Sequence, residues 1–307
     1  MTKAIISIAA RMASTRLPGK VMAEVGGKPI LQHLVERLSR SRAEVVIANN
    51  GGDPEILDLA DRLGVYCFHA DLDVMDIHRL AAVWSHADFI LLAGADDPFL
   101  DPALFDLVLD RLERGDVQYV KTQGWPLGMN VWGWTRAAME DGHRLATAPD
   151  ERQHVVPFWE RRPLTYPAAV IRRDGPDLYD HYRLTVDNPS DLTLTQYLYG
   201  VIGATSIEAE RVIRYLALHP SVVAINVDGL RGTAARDAIY DVTPVENVME
   251  GLTRHPLSKH LDEIREHIAV ERRAALAAIP EQGGFAEGRA AALLSVEQWL
   301  RYREAAR

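Results

Sequence analysis

The segment that most constrains this chain is Ala4 to Ala10, small and aliphatic throughout except for the lone hydroxyl of Ser7, running straight into Arg11. A strand that is apolar on both sides needs cover on both. Short aliphatic or β-branched runs then alternate with helix-period segments through the first two hundred residues, which is how βαβ units and a mostly parallel sheet are written in sequence. The chain is read as α/β, a central sheet flanked by helices.

Ile30, Leu31, Leu34, Val35 and Leu38 recur at helical spacing, with Lys28, Glu36, Arg37 and Arg40 on the opposite side and Pro29 suited to the first turn. Glu44 to Asn49 is the second predicted strand. Asp53-Pro54 opens a helix through Leu63, and Gly64 stops it. Val65 to Phe68 is predicted as a strand, Val74 to His86 as a helix and Asp88 to Ala93 as a buried strand that runs into Gly94-Ala95-Asp96-Asp97-Pro98. Open α/β sheets place ligands just past strand C-termini, where these acids stand. A helix from Pro102 to Arg114 and a strand from Val117 to Thr122 follow.

The regularity then breaks at Gly124-Trp125-Pro126-Leu127-Gly128 and Ala148-Pro149-Asp150, consistent with an inserted, substrate-facing region. Tyr182 to Val186 is expected to be a last core strand ending at Asp187, before Asn188-Pro189 and a helix from Ser190 to Tyr199. Beyond it the pattern predicts a helix from Ile207 to Leu218, a short strand from Val222 to Val227 and an amphipathic tail from Pro244 to Arg307. The expected domains are 1–228 and a helical C-terminal extension, 229–307, which would be a subdomain or an oligomer contact.

Composition narrows the function. With 48% hydrophobic and 25% charged residues the chain is an ordinary globular one, and a formal charge of -9 argues against a general grip on nucleic acid. The single cysteine, Cys67, excludes a disulfide framework and a cysteine-rich zinc site. No apolar run approaches the ~18 residues that span a bilayer, so no membrane partner is expected and the protein is read as soluble and cytoplasmic.

The chemistry concentrates in Arg11-Met12-Ala13-Ser14-Thr15-Arg16-Leu17-Pro18-Gly19-Lys20, directly after the first strand. Guanidinium forks and an ammonium grip phosphate oxygens, and a glycine admits close backbone approach. A solvated basic surface loop is the plain alternative. Neither a P-loop nor a G-x-G-x-x-G motif is present, so P-loop hydrolases and Rossmann dehydrogenases lose their main support. Asp96 and Asp187 follow predicted strand ends, and two carboxylates converging from separate strands would hold a hard divalent ion. Each acid also has a helix-capping alternative: Asp97 or Asp101 before Pro102, Asp187 or Asn188 before Pro189.

The loop closely resembles the opening signature of the cytidylyltransferases that include CMP-Kdo synthetase, and especially the branch of spore-coat polysaccharide biosynthesis protein F. Further blocks follow in the family's order: Gly26 to Leu31, Asp73-Val74-Met75-Asp76, Ala95 to Pro102, Arg152 to Phe158, Arg183 to Leu192, then His219-Pro220 and Asn226. The resemblance spans about residues 3 to 228 and implies a GT-A-like nucleotidyltransferase fold, CTP as substrate, Mg²⁺ as cofactor, a small anionic acceptor and a homodimer. Nucleotide contacts would come from Ala10, Arg11, Met12, Ala13, Ser14, Arg16, Gly19, Lys20 and Ala95. Catalysis would rest on Lys20, Arg11, Arg16 and Asp96, with Asp96 and Asp187 on the metal. Asn130, Arg152, His154 and Arg183 would face the acceptor, an acidic sugar, phosphonate or phosphate metabolite, and Trp125, Trp132 and Trp134 would be stacking candidates.

Leu92 and Ile77 stand where that branch commonly carries arginine, with Arg79 a candidate replacement for the second. These departures bear on base or acceptor recognition. They suggest one rival, a nucleotide-binding protein that has lost its activity; a second, a GT-A glycosyltransferase using a nucleotide sugar, stays open because that architecture also places acids at strand ends to hold a metal on a diphosphate.

Overall fold

A computed structural model describes residues 2–70, 72–166 and 168–226. β1 (Ala4–Ala10) lies inside a seven-stranded sheet, third from one edge, and is covered on both sides. After it come the two-residue ribbon β2 (Glu24–Val25) and β3 (Lys28–Pro29), α1 (Ile30–Leu38), β4 (Glu44–Asn49), α2 (Pro54–Leu63), β5 (Tyr66–His69), α3 (Val74–Trp84), β6 (Phe89–Gly94) and α4 (Pro102–Leu112). The second half adds β7 (Tyr119–Gln123), β8 (Trp132–Thr135), α5 (Arg136–Leu145), α6 (Pro149–His154), α7 (Pro157–Glu160), β9 (Ala168–Arg172), α8 (Pro189–Ile202), α9 (Ala209–Leu218) and α10 (Pro220–Val223).

The sheet order is β5-β4-β1-β6-β8-β7-β9. Only β8 runs against its neighbours, antiparallel to both β6 and β7, while the remaining pairings are parallel. Two apolar clusters fill the space on either side of β1: Ile6 and Ile8 belong to the one with α1, α2 and α4, Ile5 to the one with α3, α5 and α7. Local chemistry sets the ends. Gly64 caps α2 at φ 67°, Asp101 accepts from the Ala103 amide at the start of α4, and Asn188 and Asp191 form a capping box on α8.

Several expectations are corrected. Tyr182 to Val186 is no ladder strand: it makes one isolated bridge, Leu127 with Arg183, because it pairs with a loop rather than with the sheet. The seventh strand is instead β9. Pro29 precedes α1, in the β3 ribbon, rather than sitting in its first turn. Val222 to Asn226 is helical, in α10 and a 3₁₀ turn, not a strand. Arg37, expected on the solvent side of α1, is 4% exposed; it donates to the Pro98 carbonyl and to the Tyr199 hydroxyl, bracing the turn that follows Asp97. The expected helical extension, 229–307, lies outside the described residues.

Candidate active site

The basic loop is folded by its own backbone. Gly19 turns at φ +70°, its amide donates to the Met12 carbonyl at 2.9 Å, and the Met12 amide is pinned to the Asp53 carboxylate at 2.8 Å. A 3₁₀ turn then begins at Lys20 and aims its side chain across the C-terminal rim of the sheet. Its ammonium donates to Asp96 Oδ2 at 2.5 Å and to Asp187 Oδ1 at 2.9 Å. Two acids separated by ninety-one positions therefore meet on one cation.

Asp96 comes from the turn after β6, which is tied to the other acid's segment by the Val186 amide on the Asp96 carbonyl at 2.8 Å. Asp187 is further addressed by Arg16 at 2.9 Å and by Arg183. Arg183 also meets Asp191 at 3.2 Å, and Asp191 in turn accepts the Asp187 and Asn188 amides and Asn226 Nδ2. The Asp187 carboxylate is thus held from several directions.

The charges respond accordingly. Burial works against ionisation of Asp187, but the Lys20 hydrogen bond and charge, with Arg16 and Arg183, outweigh it and bring its pKa to about 2. Burial would also depress the Lys20 ammonium; Asp96 and Asp187 together outweigh it and raise its pKa above the ordinary lysine value. Asp97 is pushed up to about 8, first by burial and then by the charge of Asp96.

These groups line a cavity of about 1490 Å³. That exceeds the roughly 300–1,000 Å³ of a pocket for one drug-sized ligand. Ala10, Arg11, Ala13, Ser14, Arg16 and Lys20 line it, as do Asp96, Asn130, His154, Arg183 and Asp187. Arg11 is exposed and forms no ion pair with a described acid, leaving its guanidinium available to a ligand.

Other expected site residues are placed elsewhere. Met12, Gly19 and Ala95 are not in the cavity wall; the first two close the loop and the third is buried behind it. Arg152 is not brought into the cavity either. It turns back along α6 to neutralise Asp73 and Asp76, both at 2.7 Å, at the start of α3. Arg183 reaches the cavity, but its guanidinium is committed to Asp187 and Asp191, so it braces an acid instead of offering itself to an acceptor anion. Trp125 is buried, and Trp134 is fully buried against Tyr119, their rings 5.3 Å apart; of the three tryptophans only Trp132 faces the cavity. Arg79 pairs with Glu140 and does not replace the missing arginine.

The residues missed from sequence are informative. Lys121 on β7 is the register partner of Trp132 on β8, and its ammonium meets Glu160 at 2.7 Å in the cavity wall. A charge inside a strand otherwise written Tyr-Val-Lys-Thr was the available signal. Asn130, already expected at the site, donates to the Trp125 and Pro126 carbonyls, and its Oδ1 is buried with no partner among the described residues. Gly128, at φ +92°, lets this loop press on the acidic segment: a Cβ there would lie 2.6 Å from the Thr185 nitrogen.

A mostly parallel sheet that gathers a cationic loop and two convergent aspartates at one rim, over a cavity of this size, is the arrangement of a nucleotidyltransferase. Residues 4–215 match the family described as Cytidylyltransferase, and the chain belongs to that family. It is similar to the spore coat polysaccharide biosynthesis protein SpsF of Bacillus subtilis, 27% identical over 233 residues, covering 72% of this chain and 96% of that protein. A 3-deoxy-manno-octulosonate cytidylyltransferase of Methylococcus capsulatus is 36% identical over 129 residues, 40% of this chain and about half, 49%, of that enzyme. Among solved structures, a cytidylyltransferase from Leptospira borgpetersenii superposes with a TM-score of 0.68 at 26% identity, over 73% of this chain and 97% of that one.

Proposed function

We propose that the protein transfers CMP from CTP to a small anionic acceptor in a Mg²⁺-dependent reaction that releases pyrophosphate. The observation that carries this reading is the meeting of Lys20 with Asp96 and Asp187 beside Arg11, whose exposed guanidinium lines the same cavity.

The donor set fits a hard divalent ion. Asp96 and Asp187 already share one cation, Lys20, and no cluster of three ligand-type side chains occurs among the described residues. Two carboxylates without a third suit an ion that keeps phosphate oxygens and water in its shell. When bound, such an ion neutralises phosphate charge and polarises the α-phosphate.

The remaining chemistry belongs to the chain. An acceptor oxygen attacks the α-phosphorus of CTP in line, the bond to the β-phosphate oxygen breaks, and pyrophosphate leaves. No covalent enzyme nucleophile is needed, because phosphoryl chemistry depends mainly on positioning and charge neutralisation. Arg11, Arg16 and Lys20 hold the β- and γ-phosphates, and Lys20, charged throughout the neutral range, meets the negative charge that grows on the leaving group. The acceptor occupies the wall built by Asn130, Trp132, His154 and Lys121. The protein acts in the cytoplasm as a homodimer, with an acidic sugar, phosphonate or phosphate metabolite as acceptor.

Pyrophosphate release is measured with CTP and a panel of such acceptors, with and without Mg²⁺. Metal-dependent release with at least one acceptor is expected. Release of a nucleoside diphosphate from a nucleotide sugar, with none of pyrophosphate from CTP, would replace this reading with a glycosyltransferase.

A further inference from the structure

Ser7 is the one polar residue in β1 and is fully buried. Its hydroxyl lies 2.7 Å from Nδ1 of His78 on α3, which is also 0% exposed. Nε2 of the same ring is buried with no protein partner, yet His78 lines the cavity. Buried polar atoms are costly to leave unpaired, so an orphan at a cavity wall points to a ligand.

The tautomer follows from hydrogen-bond accounting. Burial lowers the imidazole pKa to about 4, so the ring is neutral at physiological pH and carries one N–H. With the proton on Nδ1, the ring would donate to Ser7, leaving both the serine hydrogen and the Nε2 lone pair unpaired. With the proton on Nε2, Ser7 donates to Nδ1 and one group alone remains, an N–H donor. The second arrangement satisfies more of the pair.

The surroundings of that donor are small and apolar. β1 and β6 are in register with Ser7 beside Leu92 and Ala9 beside Gly94, and these four alternate onto the face that α3 covers. Past Ser7 and Leu92 the strands end on this face in Ala9 and Gly94, with the Asp96 and Asp97 carboxylates standing over Gly94 and the basic loop starting two residues beyond Ala9. A lone N–H in the cavity wall beside Ala9 calls for an acceptor, and a carbonyl oxygen meets that need.

We propose that His78 is a specificity-determining residue, its Nε2–H donating to the 2-carbonyl oxygen of a pyrimidine nucleotide while Ser7 fixes the tautomer; this rests on the CTP-binding reading above.

Two measurements test it. CTP–Mg²⁺ binding is followed by calorimetry in the wild type and in Ser7→Ala/His78→Phe, which removes both partners together so that neither is left unpaired. The folding temperature of the variant should be kept or raised, and its CTP affinity should fall about tenfold, the worth of one hydrogen bond. ¹⁵N-histidine spectra of the wild type should show His78 protonated on Nε2, with that nitrogen shifting when CTP–Mg²⁺ is added. Unchanged affinity in a folded variant, or a protein that binds CTP without moving the His78 resonance, overturns the role of His78 and leaves the CTP reading standing. A wild-type protein that binds no pyrimidine nucleotide overturns both.

Discussion

Replacing Asp187 by asparagine removes the charge on which Lys20, Arg16 and Arg183 converge while keeping the shape of the side chain. The cost can be worked from the structure. Asp187 titrates at about 2 against an ordinary 3.8, and at ~1.4 kcal/mol per unit that difference is about 2 kcal/mol of folding stability at neutral pH. The side chain is only 13% exposed, so solvent screening takes little from this figure. The sign is fixed by the depressed pKa: the contribution is present above the unfolded value and lost as pH falls through the folded one. Urea denaturation, with a chelator present so that only protein cations act on the carboxylate, should therefore show wild type more stable than Asp187→Asn by about 2 kcal/mol at pH 7. The gap should be nearly unchanged at pH 5 and fall to roughly half near pH 3. Equal stability at pH 7, or a gap that persists undiminished at pH 3, would refute the electrostatic account of this site.

Lys20→Ala should cut pyrophosphate release from CTP by about 10³-fold or more with the fold retained by circular dichroism, since it removes the cation proposed to meet the charge growing on the leaving group; near-normal turnover rejects that role. Arg152→Ala should lower stability by about 1 kcal/mol through Asp73 and Asp76, with the acceptor KM unchanged; a large rise in KM at constant folding temperature would restore Arg152 to the cavity. Gly128→Ala, strained at φ +92° and driven into Thr185, should destabilise by about 1–3 kcal/mol in urea and reduce turnover as well. A variant as stable and active as wild type would show that the loop need not press on the acidic segment.

The first half of the fold was legible because its signals are local. β4 and α2 fall at the residues that β-branched runs, Asp53-Pro54 and Gly64 indicate, and the phosphate-type loop stands beside a strand that could only be central. β8 was not legible. Trp132-Gly133-Trp134-Thr135 has a glycine at its middle, and that glycine answers to packing, not propensity: a Cβ would fall 2.6 Å from both Leu91 and Val108. Tyr182 to Val186 has the pattern of a strand, yet its hydrogen bonds go to Leu127 and Asp96, a preference that sequence spacing does not encode. The site shows the same division. Loop cations and strand-end acids could be found by position, whereas the withdrawal of Arg152 to Asp73 and Asp76 and the pairing of Lys121 with Glu160 are tertiary choices between equally charged alternatives.

The reversal of β8 has a geometric consequence. Six strands deliver their trailing loops to the rim that bears the cavity, but a strand of opposite direction presents its leading loop there instead. The β7–β8 hairpin, tip included, is for that reason a flap on the substrate side, anchored at both feet by the ladder. A change in its length would leave the register of every strand untouched, so this side of the cavity can be reshaped while the basic loop after β1 stays as it is.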